Sequence, residues 1–249
     1  MGGSLAEKPA RLVAESEPVI VIDPTSRRFV SRGGEKLDAA LDRFALEVSG
    51  RRCLDAGAST GGFTDCLLRR GASAVVAVDV GYGQLDPALR RDPRVQVLER
   101  TNIRTLRPDE VGGDPFPVIV ADLSFISLVT VAPVLAGGLA AAGADIVALV
   151  KPQFEAGRTE VSRGRGVIRH SEVRRAALER VASAFASQGA TIMGAMASPL
   201  LGPAGNAEFL LHVRAHAAPP GALVAPDAVE AMLDAAVADA PDAQSPGDD

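Results

Sequence analysis

Between Arg52 and Val150 the chain alternates short apolar runs with stretches in which apolar residues return every three or four positions. The apolar runs cover residues 53–55, 74–79, 95–98, 118–122 and 145–150. Strands alternating with helices imply crossover connections, so the pattern predicts an α/β fold with a doubly wound, mostly parallel sheet and helices on both faces. A helix is predicted over 172–188, and two more strands over 191–197 and 207–213, the second closing the folded part. Ahead of this block, Leu37, Ala40, Leu41 and Phe44 recur at i, i+3, i+4 and i+7. That spacing predicts an amphipathic helix over 35–44, with Lys36 in its first turn. One short helix is expected near 227–237, in a tail otherwise rich in Ala, Pro and Asp.

Several of the runs end in, or run into, a polar residue: Asp55, Asp79, Asp122 and Lys151. In an open parallel sheet the carboxyl ends of the strands form the ligand-binding rim, so these four are expected to converge. The first run continues into Asp55-Ala56-Gly57-Ala58-Ser59-Thr60-Gly61-Gly62-Phe63, a Gly-rich turn ahead of a helix, where backbone can approach a ligand closely. It is not the dinucleotide fingerprint: Gly57 and Gly62 fill the first and third glycine places, but Ser59 stands at the second. A carboxylate opening the turn and another, Asp79, ending the next strand suit a ligand with a cationic head and a ribose. S-adenosylmethionine has those features. The candidate cofactor contacts are Asp55, Gly57, Ser59, Thr60, Gly61, Gly62, Phe63, Asp79 and Asp122, with Asn102 set against the adenine edge. The duller alternatives are a turn that serves only close packing and an Asn that serves only its own loop.

Composition narrows the class. With 249 residues, 47% of them apolar, the chain can bury the core of one medium-sized domain plus appendages. A net charge of -5 excludes a uniformly basic nucleic-acid binder, although acidic residues gather partly at the C-terminal end. Basic residues concentrate locally: Arg27, Arg28 and Arg32 before the first helix, and Arg158, Arg163, Arg165 and Arg169 in the loop after Lys151. These are candidate phosphate contacts, with ordinary solvated loop charge as the alternative. Cys53 and Cys66 have neither C-x-x-C spacing nor a His cluster, which argues against zinc or any other metal site and against a disulfide framework. No signal peptide opens the sequence and no uninterrupted apolar run reaches membrane-spanning length, so a soluble, cytoplasmic protein with no membrane partner is expected.

Four ionisable residues stand beside apolar runs, where an unpaired charge is costly: Lys36, Asp122, Lys151 and Glu208. The runs around them, 31–37, 54–63, 79–85, 94–102, 121–128, 149–155 and 198–208, resemble the FtsJ-like ribose 2′-O-methyltransferases. Within that superfamily they are most similar to the TlyA (hemolysin A) family of ribosomal RNA methyltransferases. The resemblance covers nearly everything from Phe29 to Val213. It implies a Rossmann-like class I methyltransferase that uses S-adenosylmethionine, with ribosomal RNA or ribosomal subunits as partner and a cytidine ribose as acceptor. It also implies a Lys-Asp-Lys-Glu catalytic tetrad at Lys36, Asp122, Lys151 and Glu208. A ribose hydroxyl is a weak acid, so transfer needs its oxygen in line and its proton removed as the new bond forms. Lys151 is the candidate base. A second cation and partial burial favour its neutral amine, while Asp122 and Glu208 oppose that and orient it. Lys36 steers the ribose. A purely structural ion-pair network is the alternative.

The same resemblance divides the chain into residues 1–25, akin to the end of a small N-terminal RNA-binding domain, a basic linker over 26–35, the methyltransferase domain over 36–215, and an acidic tail over 216–249 expected to be mostly disordered. Because the helices that would dock on RNA are absent from this reading, two functions stand. One is an RNA ribose methyltransferase; the other is a small-molecule methyltransferase that kept the fold and the tetrad. A pore-forming hemolysin follows only from the family's older name and has no membrane-active segment behind it.

Overall fold

The computed structural model describes residues 28–157, 164, 166–216 and 226–241. Helix α1 (Arg32–Arg43) leads into β1 (Arg52–Ala56), α2 (Gly62–Arg69), β2 (Ala74–Val78), α3 (Pro87–Arg91) and β3 (Val95–Leu98). After two single 3₁₀ turns come β4 (Phe116–Ala121), α4 (Leu128–Ala132), β5 (Ala140–Val150) and the one-turn α5 (Pro152–Glu155). The chain then forms α6 (Ser171–Ala186), β6 (Thr191–Ala197), β7 (Phe209–Arg214) and α7 (Pro226–Ala238). All seven predicted strands are present.

They form one sheet in the order β3-β2-β1-β4-β5-β7-β6. Strands β1 to β5 pair in parallel, and β7 runs antiparallel to both of its neighbours, β5 and β6. Side chains alternate strictly between two cores, as a sheet covered on both faces requires. On β4, Ile119 and Ala121 join one core while Val118 and Val120 join the other; on β5, Ile146, Ala148 and Val150 oppose Val147 and Leu149. The first core is completed by α4, α6 and α7, the second by α1 and α2.

Helix α1 begins at Arg32, three residues before the expected start, so Lys36 lies beyond the first turn. Gly33 and Gly34 are helical rather than linker. The cause is tertiary packing: a Cβ on Gly34 would sit 2.4 Å from the ring of buried Phe29, so only glycine lets that ring close the helix start. Two of the arginines expected to grip phosphate are engaged inside the chain. Arg28 pairs with Asp38 at 2.6 Å, and Arg32 donates to the carbonyl of Leu201 at 2.8 Å.

The folded body does not stop at β7, where the sequence pattern ended it. Helix α7 buries Leu233 (1% exposed) and Ala236, and Arg175 of α6 donates to Glu230 at 2.5 Å and Asp234 at 2.6 Å. The Ala-rich composition hid a docking face only one or two large side chains wide. Leu233→Ala is expected to cost about 2–4 kcal/mol, read as a lower urea midpoint with an unchanged slope. An unchanged midpoint would mean that α7 adds nothing to the fold.

Candidate active site

The rim is built by strand register. Asp122 follows β4, and its N–H donates to the carbonyl of Ala56 at 2.9 Å, tying the end of β4 to the turn that leaves β1. That turn, 57–61, carries Gly57 at φ 91°, where a Cβ would lie 2.4 Å from the carbonyl oxygen of Asp122. Gly61, at φ 98°, would collide with Leu89, and a Cβ on Gly62 would lie 2.2 Å from the Ser31 hydroxyl oxygen. At Gly57, Gly61 and Gly62 a Cβ would therefore point into protein, so these glycines serve the packing of the turn. They let α1, β4 and the loop after β2 close around the turn. Phe63 is 3% exposed and belongs to the core. Ser59 and Thr60 are the exposed residues of the turn.

Asp79, at the end of β2, fixes the turn from the side. Its carboxylate accepts from the Ser59 N–H at 2.8 Å and the Gly81 N–H at 2.7 Å. Two oxygens that each accept one N–H keep lone pairs for a further donor. Asn102 is exposed, and its Oδ1 accepts from the Arg104 N–H at 3.0 Å, capping the 3₁₀ turn Ile103–Thr105. The cap orients Asn102 but uses only its oxygen.

Asp55 lies on β1, fully buried. One oxygen accepts from the Thr64 hydroxyl at 2.7 Å, while Oδ1 has no hydrogen-bond partner. Burial pushes the carboxyl up to about 7; the Thr64 hydrogen bond opposes this, and the nearby charges of Asp122 and Asp79 add to it. Three carboxylates thus meet at the ends of three adjacent strands; Asp55 Oδ1 is orphaned, and the buried Oδ1 of Asp122 has no hydrogen bond beyond its ion-pair contact with Lys151. Such a cluster fits a cation that also carries hydrogen-bond donors.

The lysines complete the rim. Lys151 follows β5 and approaches Asp122 Oδ1 at 2.6 Å and the Ser124 hydroxyl at 2.9 Å. Lys36 reaches out of α1 to Glu208 at 2.5 Å, with side chains only 8% and 1% exposed. The β5–β7 register, Val150 opposite Phe209, carried one step further sets Glu208 across from Lys151. All four tetrad positions therefore share one end of the sheet, but they resolve into two pairs, and Glu208 holds Lys36 rather than Lys151.

Sequence reasoning missed the neighbours of this constellation. Phe125 is 92% exposed at φ 64°, and its ring centre lies 5.2 Å from that of Phe154, whose ring is 5.9 Å from the Lys151 ammonium. Each stands three residues after a tetrad member, and that adjacency was the available signal. Among the expected phosphate contacts, Arg169 is exposed, while Arg27, Arg158, Arg163 and Arg165 lie outside the described residues.

The profile of the FtsJ-like methyltransferase family matches residues 29–215, the span that builds both halves of this rim. The chain belongs to the FtsJ-like methyltransferase family. This FtsJ-like methyltransferase is 53% identical over 212 residues to the 16S/23S rRNA (cytidine-2′-O)-methyltransferase TlyA of Mycobacterium tuberculosis, covering 85% of this chain and 78% of that protein. It is 43% identical over 186 residues to Hemolysin A of Brachyspira hyodysenteriae, covering 74% of this chain and 76% of that protein. A solved protein of Lactococcus lactis, described as a hemolysin, superposes with a TM-score of 0.74 at 40% identity, covering 83% of this chain and 97% of that one. A methyltransferase of Mesorhizobium loti at 16% identity, TM-score 0.51, shares the fold, with 71% of this chain and 96% of that chain covered. In the FtsJ-like methyltransferase, as across the described residues, no helix is long and apolar enough to cross a membrane.

The raised Asp55 carboxyl makes a signed prediction. Its folded-state value of about 7 exceeds the unfolded 3.8, so the folded protein binds more protons between those limits and the cofactor-free protein loses stability as pH rises from about 4 to 7. Denaturant titrations across that window should show a loss on the order of a few kcal/mol. Asp55→Asn should flatten it; an equal slope in the variant would assign the dependence elsewhere.

Proposed function

We propose that the protein transfers the methyl group of S-adenosylmethionine to a ribose 2′-hydroxyl of RNA, with ribosomal RNA or a ribosomal subunit as the partner and a cytidine as the acceptor nucleoside. The observation that carries this reading is the meeting, on one rim, of a three-carboxylate cluster with two lysine–carboxylate pairs. The residues present fit the cofactor. The orphaned oxygen of Asp55 and the spare acceptor capacity of Asp79 match a ligand bearing an ammonium, a ribose and a sulfonium charge, with Ser59 and Thr60 exposed beside them. S-adenosylmethionine, when bound, supplies an electrophilic methyl group on sulfur.

On the acceptor side, Lys151 in its neutral form takes the 2′-hydroxyl proton. Asp122 and Ser124 fix its amine by contacts of 2.6 and 2.9 Å, and Asp122 stabilises the ammonium that forms. Lys36, anchored by Glu208, orients the ribose oxygen for in-line attack. The relatives named as cytidine-2′-O methyltransferases supply the acceptor in this reading, and a cytoplasmic location goes with a ribosomal substrate. Exposed Arg169 and the arginines of the 158–165 segment remain the candidate phosphate contacts.

Incubation with methyl-labelled S-adenosylmethionine and ribosomal subunits should place label in alkali-resistant RNA dinucleotides, the signature of a blocked 2′-hydroxyl. Lys151→Ala should lower that rate about 10²–10⁴-fold while leaving cofactor affinity nearly unchanged. Asp79→Ala should weaken cofactor binding about tenfold or more by calorimetry. Label appearing only in small molecules from a metabolite extract would overturn the RNA assignment. Full activity in Lys151→Ala would overturn the base.

A further inference from the structure

We propose that Glu155 is a positioning residue for the transfer: its buried carboxylate joins the loop that carries Asp122 to the loop that carries Lys151. The inference rests on the reading that these two residues act on the acceptor hydroxyl. The sheet ladder pairs β4 with β5 only as far as Ala121 and Ala148. Beyond it, residues 122–127 run to α4 and Lys151 leads into α5 (Pro152–Glu155), so each member of the reacting pair stands on a separate segment. A bond between Lys151 and Asp122 cannot serve as the anchor of a geometry in which Lys151 must also accept and release a proton. The Phe125–Phe154 contact is built on a ring that is 92% exposed.

Glu155 supplies the remaining link, and it is buried. The residue is 7% exposed; Oε1 accepts from the Leu128 N–H at 2.8 Å and Oε2 from the Ser127 hydroxyl at 2.5 Å. Leu128 is the first residue of α4, so the carboxylate satisfies an orphan N–H of that helix from another loop. The Ser127 hydroxyl oxygen also accepts from the Val129 N–H at 3.1 Å. The result is a continuous chain of hydrogen bonds from α4 through Ser127 to Glu155, four residues after Lys151. Burial raises the Glu155 carboxyl above its ordinary range, with the bonds from Ser127 and Leu128 and the charge of Arg180 opposing it. A carboxylate is a costly side chain for this spot unless both bonds are made. With both made, it fixes the spacing of the loops more sharply than apolar packing would.

The test separates positioning from mere stability. Glu155→Ala should lower kcat for RNA methylation about 10–100-fold, because a displacement of about 1 Å at a reacting pair costs that much. The KM for RNA and the calorimetric affinity for S-adenosylmethionine should stay within about threefold. Glu155→Gln keeps an oxygen for the Leu128 N–H and turns an NH₂ group to the Ser127 hydroxyl, and should recover kcat to within about fivefold of the parent. Unchanged kcat in Glu155→Ala overturns the proposal. So does a parallel loss of kcat, cofactor affinity and melting temperature that Glu155→Gln does not repair. If Glu155→Ala does not fold, Ser127→Ala carries the same expectation at smaller size, a fall of about 3–10-fold, and an unchanged kcat there overturns the brace. Lys151→Ala run alongside keeps the two failures apart. Full activity in that variant removes the assigned base, whereas its inactivity beside an unaffected Glu155→Ala removes the brace alone.

Discussion

A lysine and a glutamate 172 residues apart, each almost fully buried, bind one another at 2.5 Å, and the architecture of the site follows from keeping them together. Either charge left alone in that position would be strongly destabilising, so the pair forms as a unit or the fold pays several kcal/mol. Keeping it requires α1, which adds no strand to the sheet, to dock against the segment that leads into β7. The surrounding contacts all serve that docking. Arg32 caps the carbonyl of Leu201, the Ser198 N–H donates to the Glu208 carbonyl at 2.8 Å, and Gly202 leaves the space that Glu208 Oε1 fills. On its other side, α1 presses Gly33 and Gly34 against Gly62 and Phe63. The helix thus touches both the Gly-rich turn and Glu208, so the rim is assembled only when distant parts of the chain have met.

The sheet contributes a second constraint. Parallel strands can bring only their carboxyl ends to the rim, and four of them deliver Asp55, Asp79, Asp122 and Lys151 there. Glu208 comes from the amino end of its strand, which is possible only because β7 is antiparallel. The reversal puts a residue that precedes a strand beside residues that follow one. Asp122 stands at the boundary, within the field of Asp55 and in contact with Lys151, so one carboxylate links the aspartate cluster to the lysines.

Strands were legible in the sequence because a buried parallel strand is a short apolar run, and four of them ended near a charged residue that marked the rim. The tetrad was legible as isolated charges beside those runs. What failed has a physical pattern. The glycines of 57–62 were read as letting backbone approach a ligand, and at Gly57, Gly61 and Gly62 a Cβ would meet protein atoms; absence of a Cβ in a sequence does not say which neighbour needs the space. Arg28 and Arg32 were read as candidate phosphate contacts, and linear sequence does not show that Asp38 and the Leu201 carbonyl lie within their reach. The division of four charges into Lys36–Glu208 and Lys151–Asp122 depends on the direction of β7, which composition does not encode. The docking of α7 rests on Leu233 and a network around Arg175, a signal too thin against an Ala-rich background.

Two buried aspartates show why the rim differs from the rest of the protein. Asp145, in the middle of β5 and away from the rim, is also removed from water, and burial alone would raise its carboxyl. Instead the His212 ring nitrogen at 3.0 Å and Arg214 at 3.0 Å hold it down at about 2, with Arg51 at 3.2 Å completing the network. Every oxygen there has a partner, and the cluster locks β5 to β7 in register. Asp55 has only Thr64 as a donor, an unsatisfied oxygen and two like charges nearby, and its carboxyl moves the other way. Among the described residues, three basic groups contact Asp145 and none pairs with Asp55. The orphaned oxygen of Asp55 is thus the feature of the rim on which the proposed cofactor reading rests.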